Sequence, residues 1–372
     1  MREYSQELVS ALQAQREEVD QNGTRVIVKV NPEETRAGYL DPYELKLMMK
    51  WFEDSSRQTA AASAEPLSPE EQLQHVRDSM GFPNRNLNTV EIYTGYERIQ
   101  LGDNEVGLWR YYPRKSMRKA NKPCLIYIHG GGWIGGTVFA VENPCRLIAE
   151  LADAVVFNID YSLAPERKFP HGFNDCFNAV QYIYEHAEAY GIDRNRIVVG
   201  GDSAGGNLSA AVAVKDRDLA TRMVAGQVLI YPCVTFVNGV NGYQWELSQF
   251  DMSDEQRAMI DPMLGIGRPT EADPEVKKAW ENYLPSEVDV RNPYVSPLLA
   301  SKEGLAPTLC VGAEYDGLRI QSEVYGRQLA EAGVPVRTIR YKGCTHAFID
   351  RLGFVPQAED LCIEIANMLK AL

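Results

Sequence analysis

The run Gly-Asp-Ser-Ala-Gly-Gly at residues 201–206 places a serine in a turn between two elements. The apolar residues 196–200 before it predict a strand, and residues 207–216 after it predict a helix. Such a turn brings neighbouring backbone so close that only glycine fits on either side, and it exposes the serine oxygen at the helix N-terminus. The pattern predicts Ser203 as a nucleophile. By composition alone it would occur in roughly one chain in seven of this length, so the flanking strand and helix carry the prediction.

A second glycine-rich run, His-Gly-Gly-Gly-Trp at residues 129–133, follows the predicted strand 124–128. Successive glycines let bare backbone approach a ligand closely. In acyl transfer the tetrahedral intermediate carries an oxyanion, and each N–H donor that is fixed before reaction contributes about 3 kcal/mol. We expect the N–H groups of Gly131, Gly132 and Ala204 to form this oxyanion hole. We expect His129 to hold the loop by hydrogen bonds rather than to transfer protons.

The same loop also fits a dinucleotide-binding pattern. The glycines within residues 130–135 have the required spacing, and Asp153 lies about twenty residues further on. This alternative leaves His129 and Trp133 without a role, whereas acyl transfer uses the loop and the serine turn together. The sequence therefore favours acyl transfer.

The base must be a histidine that follows the serine, because in folds with this turn the order along the chain is serine, acid, histidine. Of the five histidines, His346 alone lies beyond Ser203. It stands just past the predicted strand 336–341, where a loop at the carboxyl edge of a sheet reaches the serine.

Asp316 is the acid that the sequence favours. It follows the apolar run that begins at residue 308 and precedes a predicted helix around residues 323–331. A buried carboxylate at this strand end accepts the Nδ1–H of the imidazole, fixes its tautomer and stabilises the imidazolium. Glu314 is the close rival. Asp202 lies on the strained turn itself, so we expect it to make structural hydrogen bonds around the serine.

The elements that position these residues alternate from about residue 90 onward. Apolar runs predict buried strands at 124–128, 154–159, 196–200, 224–230, 308–311 and 336–341, with helices between them, as in a largely parallel sheet. Residues 99–112 predict an antiparallel hairpin around Gly-Asp-Asn. Helical spacing of apolar residues predicts a helix over 173–190 that stops at Gly191.

Residues 1–88 and about 235–292 depart from this alternation, and both are predicted to be helical. Capping residues predict helix starts at Asp41, Ser68 and Ser253. The small, proline-containing segment 59–69 predicts a flexible connection. We expect residues 1–88 to form an N-terminal helical cap segment and residues 89–372 to form the catalytic domain, with a cap insertion at about 235–292.

Composition excludes several partner classes for this chain of 372 residues. A formal net charge of −13 repels nucleic acid and anionic membrane surfaces. The seven cysteines have neither paired nor metal-ligand spacing, and free thiols fit a reducing cytoplasm. The charged N-terminus contains no signal-peptide or membrane-spanning run. We expect a cytoplasmic location.

Together these motifs resemble those of the hormone-sensitive-lipase-like esterases, the GDXG family, whose marks are the His-Gly-Gly-Gly loop and the Gly-Asp-Ser-Ala-Gly-Gly turn. The match spans about residues 90–370, with further support at residues 161–166, 169–170 and 292–297. The resemblance implies an α/β-hydrolase fold, with a mostly parallel central sheet flanked by helices and a helical cap. It implies a carboxylic-ester hydrolase without cofactor or metal. Its triad would be Ser203, Asp316 and His346, and its oxyanion hole Gly131, Gly132 and Ala204.

Two positions depart from the family pattern. Gly317 stands where members usually have proline after the acid, which predicts a less rigid loop. Ala347 stands where members commonly have glycine after the base, which predicts a narrower turn.

The resemblance suggests short acyl chains, acetyl to about hexanoyl, on a small-molecule ester. The alternatives are an acyltransferase that uses the same site and a non-catalytic small-molecule receptor on the same scaffold, against which His346 argues. The oligomeric state stays open, with a homodimer as one option.

Aromatic residues of the two cap regions either line a pocket or, as we favour, mostly form the cap's own core. They are Tyr39, Tyr43, Trp51, Phe52, Phe236, Tyr243, Trp245, Phe250, Trp280 and Tyr283.

Overall fold

A computed structural model describes residues 1–14, 16–19, 23–61, 67–102, 104–268 and 280–372. Within these ranges, ten strands form one sheet in the order β1-β2-β10-β9-β8-β7-β5-β6-β4-β3. Strands β2, β10, β9, β8, β7, β5 and β6 run parallel, while β1, β4 and β3 pair antiparallel with their neighbours. The strands are β1 Arg16–Val19, β2 Arg25–Lys29, β3 Ile92–Leu101, β4 Asn104–Pro113, β5 Lys122–Ile128, β6 Val155–Asp160, β7 Ile192–Asp202, β8 Gly226–Ile230, β9 Thr308–Tyr315 and β10 Val336–Thr345.

Helices cover both faces of this sheet. Alternate residues of β5 face opposite sides, as the period of a strand requires. Ile126 belongs to a buried apolar cluster that includes residues of α5, α6 and α8, and Leu125 belongs to a second cluster that includes residues of α4 and α9. The helices are α1 Gln6–Leu12, α2 Pro42–Ala61, α3 Pro69–Asp78, α4 Glu142–Ala152, α5 His171–Glu185, α6 Ala204–Asp218, α7 Arg257–Ile260, α8 Arg319–Glu331 and α9 Pro356–Ala371.

The fold class predicted from the sequence is confirmed. Each predicted parallel strand is present, although the first residues expected at 154 and at 224–225 precede their strands. The predicted hairpin is present as β3 and β4, which pair from Ile92 opposite Pro113 to Leu101 opposite Asn104. Helix α5 ends at Glu185, earlier than expected, and a turn continues the chain to Gly191.

The described N-terminal segment is not helical throughout, and the prediction is wrong for residues 16–19 and 25–29. Strands β1 and β2 form a hairpin there, and β2 pairs parallel to β10 from Ile27 opposite Ile339. Within β2, residues Arg25 to Val28 alternate in burial as the period of a strand requires, and Lys29 is buried as well. This segment therefore extends the sheet before the chain reaches α2.

The predicted helix starts at Asp41 and Ser68 are confirmed. Asp41 accepts the N–H of Tyr43 at 2.8 Å, and Ser68 forms a capping box with Glu71. Ser253 accepts the N–H of Gln256 at 3.2 Å and begins a turn, but the helix α7 that follows starts only at Arg257. Of the predicted connection 59–69, residues 59–61 belong to the end of α2 and residues 62–66 lie outside the described residues.

The region 235–292 is helical only in short pieces. Besides α7, residues 280–283 are helical and single 3₁₀ turns cover Leu247–Gln249 and Asp261–Gly265, while residues 269–279 lie outside the described ranges. The prediction of a predominantly helical insertion is thus wrong for the described part. Among the described residues, no helix combines the length and apolarity that crossing a bilayer requires.

Candidate active site

Three side chains from three strand ends meet at the carboxyl edge of the parallel strands. Ser203 follows β7, Asp316 follows β9 and His346 follows β10. His346 Nε2 lies 3.0 Å from Ser203 Oγ, and His346 Nδ1 lies 2.7 Å from Asp316 Oδ2. At these distances the imidazole can take the serine proton while the buried carboxylate stabilises the resulting charge.

Asp316, and not its rival Glu314, reaches the imidazole. The second oxygen of Asp316, Oδ1, accepts the N–H of Leu318 at 2.9 Å, which fixes the carboxylate in the turn. Glu314 instead accepts the N–H of Gly343 at 2.7 Å, and burial raises the pKa of its carboxyl group. Glu314, on β9, and Asp316, directly after it, therefore have different hydrogen-bond partners, and only Asp316 contacts the imidazole.

Because Gly317 has no side chain, the turn that follows Asp316 can lie close to the region 235–292. A Cβ atom at this position would lie 2.0 Å from the carbonyl oxygen of Ile266 and 2.6 Å from that of Leu264. Proline would clash at the same place. The departure from the family pattern thus accompanies a close backbone contact with the segment around Leu264 and Ile266.

The turn at Ser203 has the strained geometry that its sequence predicts. Ser203 has φ +55° and ψ −117°, and its N–H donates to the carbonyl oxygen of Ile230 at 2.9 Å. A Cβ at Gly201 or at Gly205 would lie 2.2 or 1.9 Å from the carbonyl oxygen of Ile128. Both positions therefore require glycine, because any side chain would collide with the backbone of β5.

The glycine loop borders the same space as Ser203. Gly131 and Gly132 have φ of +122° and +60°, a region that favours glycine. A Cβ at Gly131 would lie 2.2 Å from the carbonyl oxygen of Gly135. Within the described part of the chain, no acceptor is recorded for the N–H groups of Gly131, Gly132 and Ala204. These amides stand next to the serine and are free to donate to a substrate oxygen.

Asp202 and His129 hold this loop, as predicted. Asp202 Oδ1 accepts hydrogen bonds from Tyr127 Oη at 2.9 Å and from the N–H of Gly130 at 3.0 Å. Burial raises the pKa of Asp202. His129 Nδ1 lies 2.8 Å from the carbonyl oxygen of Gly130, and its ring stacks on Tyr161 at 4.5 Å. Burial lowers the pKa of His129, which keeps the imidazole neutral.

The dinucleotide alternative for this loop does not agree with its surroundings. Helix α4, the next helix along the chain, begins only at Glu142. Asp153 ends that helix and pairs with Lys119 at 2.8 Å. A pyrophosphate site needs a helix N-terminus directly after the glycines.

The chain is similar to proteins of a known family. A family model described as the alpha/beta hydrolase fold matches residues 125–350, more than half of the chain. The chain belongs to the α/β-hydrolase family.

Relatives of this hydrolase have esterase names. An arylesterase from Saccharolobus solfataricus is 33% identical over 274 residues, which cover 73% of this chain and 81% of that protein. An ethyl acetate hydrolase from Pseudomonas putida is 31% identical over 251 residues, which cover 66% of this chain and 72% of that protein. A solved arylesterase structure is 30% identical with a TM-score of 0.72, and the match covers 89% of this chain and 99% of that one. The expected enzyme class is confirmed: this α/β-hydrolase is a carboxylic-ester hydrolase.

A cavity of about 570 Å³ adjoins Ser203 and His346 in this hydrolase. Parts of the N-terminal segment line it, including Trp51 on α2 and Phe82 after α3. Trp280 and Ile266 line it from the region 235–292. Both segments that depart from the strand–helix alternation therefore contribute walls to the cavity.

Few of the aromatic residues noted in the sequence face this cavity. Trp51 and Trp280 line it, and so does Trp133 of the glycine loop. Phe236 and Tyr283 pack behind Trp133, with ring centroids 5.3 and 4.4 Å away. The preference for a cap core over a pocket lining agrees with this packing.

Sequence reasoning missed a partly buried ion pair that holds the loop of His346. Arg351 donates to Glu44 of α2, to Thr345 Oγ1 at 2.8 Å and to the carbonyl oxygen of His346 at 3.1 Å. The available signal was the pair Asp350-Arg351, two charged residues within an otherwise apolar run after His346. Its partner Glu44 is about three hundred residues away, beyond the reach of local patterns.

Proposed function

We propose that this protein is a serine carboxylesterase of the hormone-sensitive-lipase-like branch, and that it hydrolyses short-chain acyl esters through Ser203, His346 and Asp316. The observation that carries the proposal is the pair of contacts from His346, 3.0 Å to Ser203 Oγ and 2.7 Å to Asp316 Oδ2. The free amides of Gly131, Gly132 and Ala204 next to this serine support it further.

In the first half-reaction, Ser203 Oγ attacks the ester carbonyl carbon while His346 Nε2 takes the serine proton. The carbonyl oxygen becomes an oxyanion and accepts hydrogen bonds from the amides of Gly131, Gly132 and Ala204. When the tetrahedral intermediate collapses, the bond to the alcohol oxygen breaks and His346 gives its proton to that oxygen. The alcohol leaves, and an acyl-serine ester remains.

In the second half-reaction, water attacks the acyl carbon and gives a proton to His346 Nε2. The second tetrahedral intermediate collapses, Ser203 Oγ takes the proton back and the carboxylic acid leaves. Asp316 stabilises the imidazolium in both halves. Besides the ester and water, these steps use only residues of the chain.

A short acyl chain is supported by the name of the ethyl acetate hydrolase relative. The cavity of about 570 Å³ is far larger than an acetyl group, so we assign the remaining space to a bulkier alcohol. We further propose that residues 1–88 and the insertion at about 235–292 act together as the cap, since both line this cavity. We retain a cytoplasmic location as part of the proposal.

The test is Ser203→Ala, assayed with p-nitrophenyl acetate beside Ser248→Ala, which changes an exposed serine. We expect Ser203→Ala to lower kcat by at least about 10⁴-fold, because the nucleophile is lost, and Ser248→Ala to match wild type. A panel from acetate to decanoate esters should give the highest kcat/KM at six carbons or fewer. Near wild-type activity of Ser203→Ala would overturn the triad.

An acyltransferase with the same site would divide the acyl group differently between products. With an added alcohol acceptor, hydrolysis yields mainly the free acid, whereas transfer yields mainly the new ester. Product analysis by chromatography separates the two, and we expect the acid to dominate.

A further inference from the structure

Asp350 lies in the wall of the cavity that adjoins Ser203. It belongs to the 3₁₀ turn Phe348–Arg351, directly after the loop of His346. The residue is only 9% exposed, so about nine-tenths of it is buried. The mechanism proposed above gives this carboxylate no task.

The carboxylate of Asp350 is not satisfied by the protein. Among the described residues, its Oδ1 is buried without any hydrogen-bond partner. The neighbouring cation, Arg351, is already engaged by Glu44, by Thr345 Oγ1 and by the carbonyl oxygen of His346. Buried polar groups are nearly always hydrogen-bonded, and a buried charge without a partner is costly.

A second carboxylate makes this arrangement more costly. Asp202 is close enough that, after burial itself, its charge raises the pKa of Asp350 well above its usual range. The carboxyl group of Asp202 already accepts from Tyr127 and Gly130, whereas that of Asp350 has unused acceptor capacity. A hydrogen-bond donor brought next to Asp350 would supply the missing bond, and a cationic donor would also offset the repulsion.

The cavity wall that includes Asp350 also contains apolar side chains. Phe82 lines the cavity and packs on Phe354, in the segment just after Asp350, with ring centroids 5.0 Å apart. Ala140 and Val141 line the cavity as well, and the carbonyl oxygen of Ala140 is taken by Asn84. An acceptor among apolar walls discriminates strongly, because a substrate without a donor leaves the acceptor unpaired.

We propose that Asp350 is a specificity-determining residue that accepts a hydrogen bond from a hydroxyl or ammonium group of the substrate, so that the preferred esters carry such a donor in the portion that reaches this wall. The inference rests on the proposed function, since it concerns the same cavity. It adds a polar recognition element to a cavity that the cap segments make largely apolar.

The experiment compares esters that differ only in the donor. In the alcohol arm the esters are hexyl acetate, 6-hydroxyhexyl acetate and 6-aminohexyl acetate. In the acyl arm they are ethyl hexanoate, ethyl 6-hydroxyhexanoate and ethyl 6-aminohexanoate. For each arm, the measured quantity is kcat/KM of a donor ester divided by kcat/KM of its apolar match, in wild type, Asp350→Leu, Asp350→Asn and the exposed control Asp254→Asn.

We expect Asp350→Leu to lower this ratio by about 10- to 100-fold in one arm, with the apolar ester cleaved as well as before or better. Asp350→Asn retains an acceptor oxygen, so it should keep the preference for a hydroxyl group and lose that for an ammonium group. A preference for the ammonium ester alone would make the recognised donor cationic. Asp254→Asn should keep the wild-type ratios.

Thermal unfolding distinguishes a recognition role of Asp350 from a structural role, because the two predict opposite changes in Tm. Because Asp350→Leu removes an unpaired buried carboxylate, its Tm should equal or exceed that of wild type. A lower Tm together with an equal loss for all six esters would assign Asp350 to the fold and overturn the inference, as would unchanged ratios in an active Asp350→Leu enzyme. A wild-type protein that cleaves none of these esters and no p-nitrophenyl acetate would overturn the proposed function as well.

Discussion

At Gly205 the serine turn has no room for even one additional carbon atom. A Cβ there would lie 1.9 Å from the carbonyl oxygen of Ile128 and 2.6 Å from that of His129. Both oxygens belong to the backbone that leads into the glycine loop. The nucleophile turn and the loop are therefore packed against each other, and a change at one displaces the other.

Gly205→Ala should consequently damage activity and stability together. We expect the free energy of unfolding to fall by about 1–3 kcal/mol, or more, because backbone atoms must move to admit the methyl group. The activity on p-nitrophenyl acetate should fall at least about 100-fold, since the amides of the loop shift relative to Ser203. Urea unfolding and initial rates measure the two effects.

Gly265→Ala is the matched control for this prediction, because a Cβ at Gly265 meets nothing within 4 Å. It should unfold and hydrolyse as wild type does. If Gly205→Ala behaved like Gly265→Ala, the close packing of the turn on β5 would be wrong.

The site residues differ in how readily the sequence shows them. Ser203 could be predicted because its turn requires a local pattern of glycines, and His346 because it alone follows the serine among the histidines. For the acid, the sequence offered both Asp316 and Glu314, and Asp316 was favoured because it follows the end of the strand. Asp350 and Glu44 could not be predicted, because their roles depend on partners distant in the sequence or on the shape of the cavity.

The loop between β10 and α9 depends on a helix from the N-terminal segment. Ala347 in this loop has φ +62° and ψ +27°, a left-handed conformation that costs a non-glycine residue about 1–2 kcal/mol. Arg351 fastens the loop by donating to the carbonyl oxygen of His346, and Glu44 of α2 fastens Arg351. Helix α2 thus positions the imidazole without touching it.

Glu44→Gln should therefore weaken catalysis through the position of His346. We expect kcat to fall about 10- to 100-fold with little change in KM, because a small displacement of the base matters most in the transition state. The uncompensated charge of Arg351 should also lower the free energy of unfolding by about 3 kcal/mol or more. Steady-state kinetics and urea unfolding measure both effects.

Lys50→Ala, on an exposed part of the same helix, serves as the control and should leave kcat and stability near wild type. A rise in KM with unchanged kcat in Glu44→Gln would contradict the positioning role, since it would point to a lost contact with the substrate instead.

The strands and helices, like the site residues, were predictable where a local sequence pattern determines them and not where distant partners do. Most of the parallel strands were predictable because they are buried on both faces and read as apolar runs, as β5 does. Strand β1 has the sequence Arg-Glu-Glu-Val and no such run. Strand β2 is five residues long, and its parallel partner β10 lies at the other end of the chain. In the insertion, tertiary contacts rather than helical periodicity hold the short turns.

On the scale of the whole molecule, the two ends of the chain are joined. Strand β2 pairs with β10, and α1 at the N-terminus packs with α9 at the C-terminus. At the centre of this joint, Lys29 is fully buried and its Nζ lies 2.6 Å from both Asp360 Oδ2 and Glu364 Oε1. The N-terminal segment must dock there before α2 can present Glu44 to the loop of His346.

Lys29→Met should therefore weaken the joint, because it removes the cation that the buried Asp360 shares with Glu364, although Arg337 still pairs with Glu364 at 3.1 Å. We expect the free energy of unfolding to fall by about 3–5 kcal/mol. Protease cleavage within the first thirty residues should accelerate as the N-terminal strands detach.

The control is Lys46→Met. The side chain of Lys46 is 69% exposed and pairs with Glu3 at 2.8 Å, so its loss should lower the free energy of unfolding by less than about 1 kcal/mol. Urea unfolding and limited proteolysis measure both variants. Equal losses in the two would mean that the buried charges do not hold the N-terminal segment, and that apolar packing of α1 and β2 does so alone.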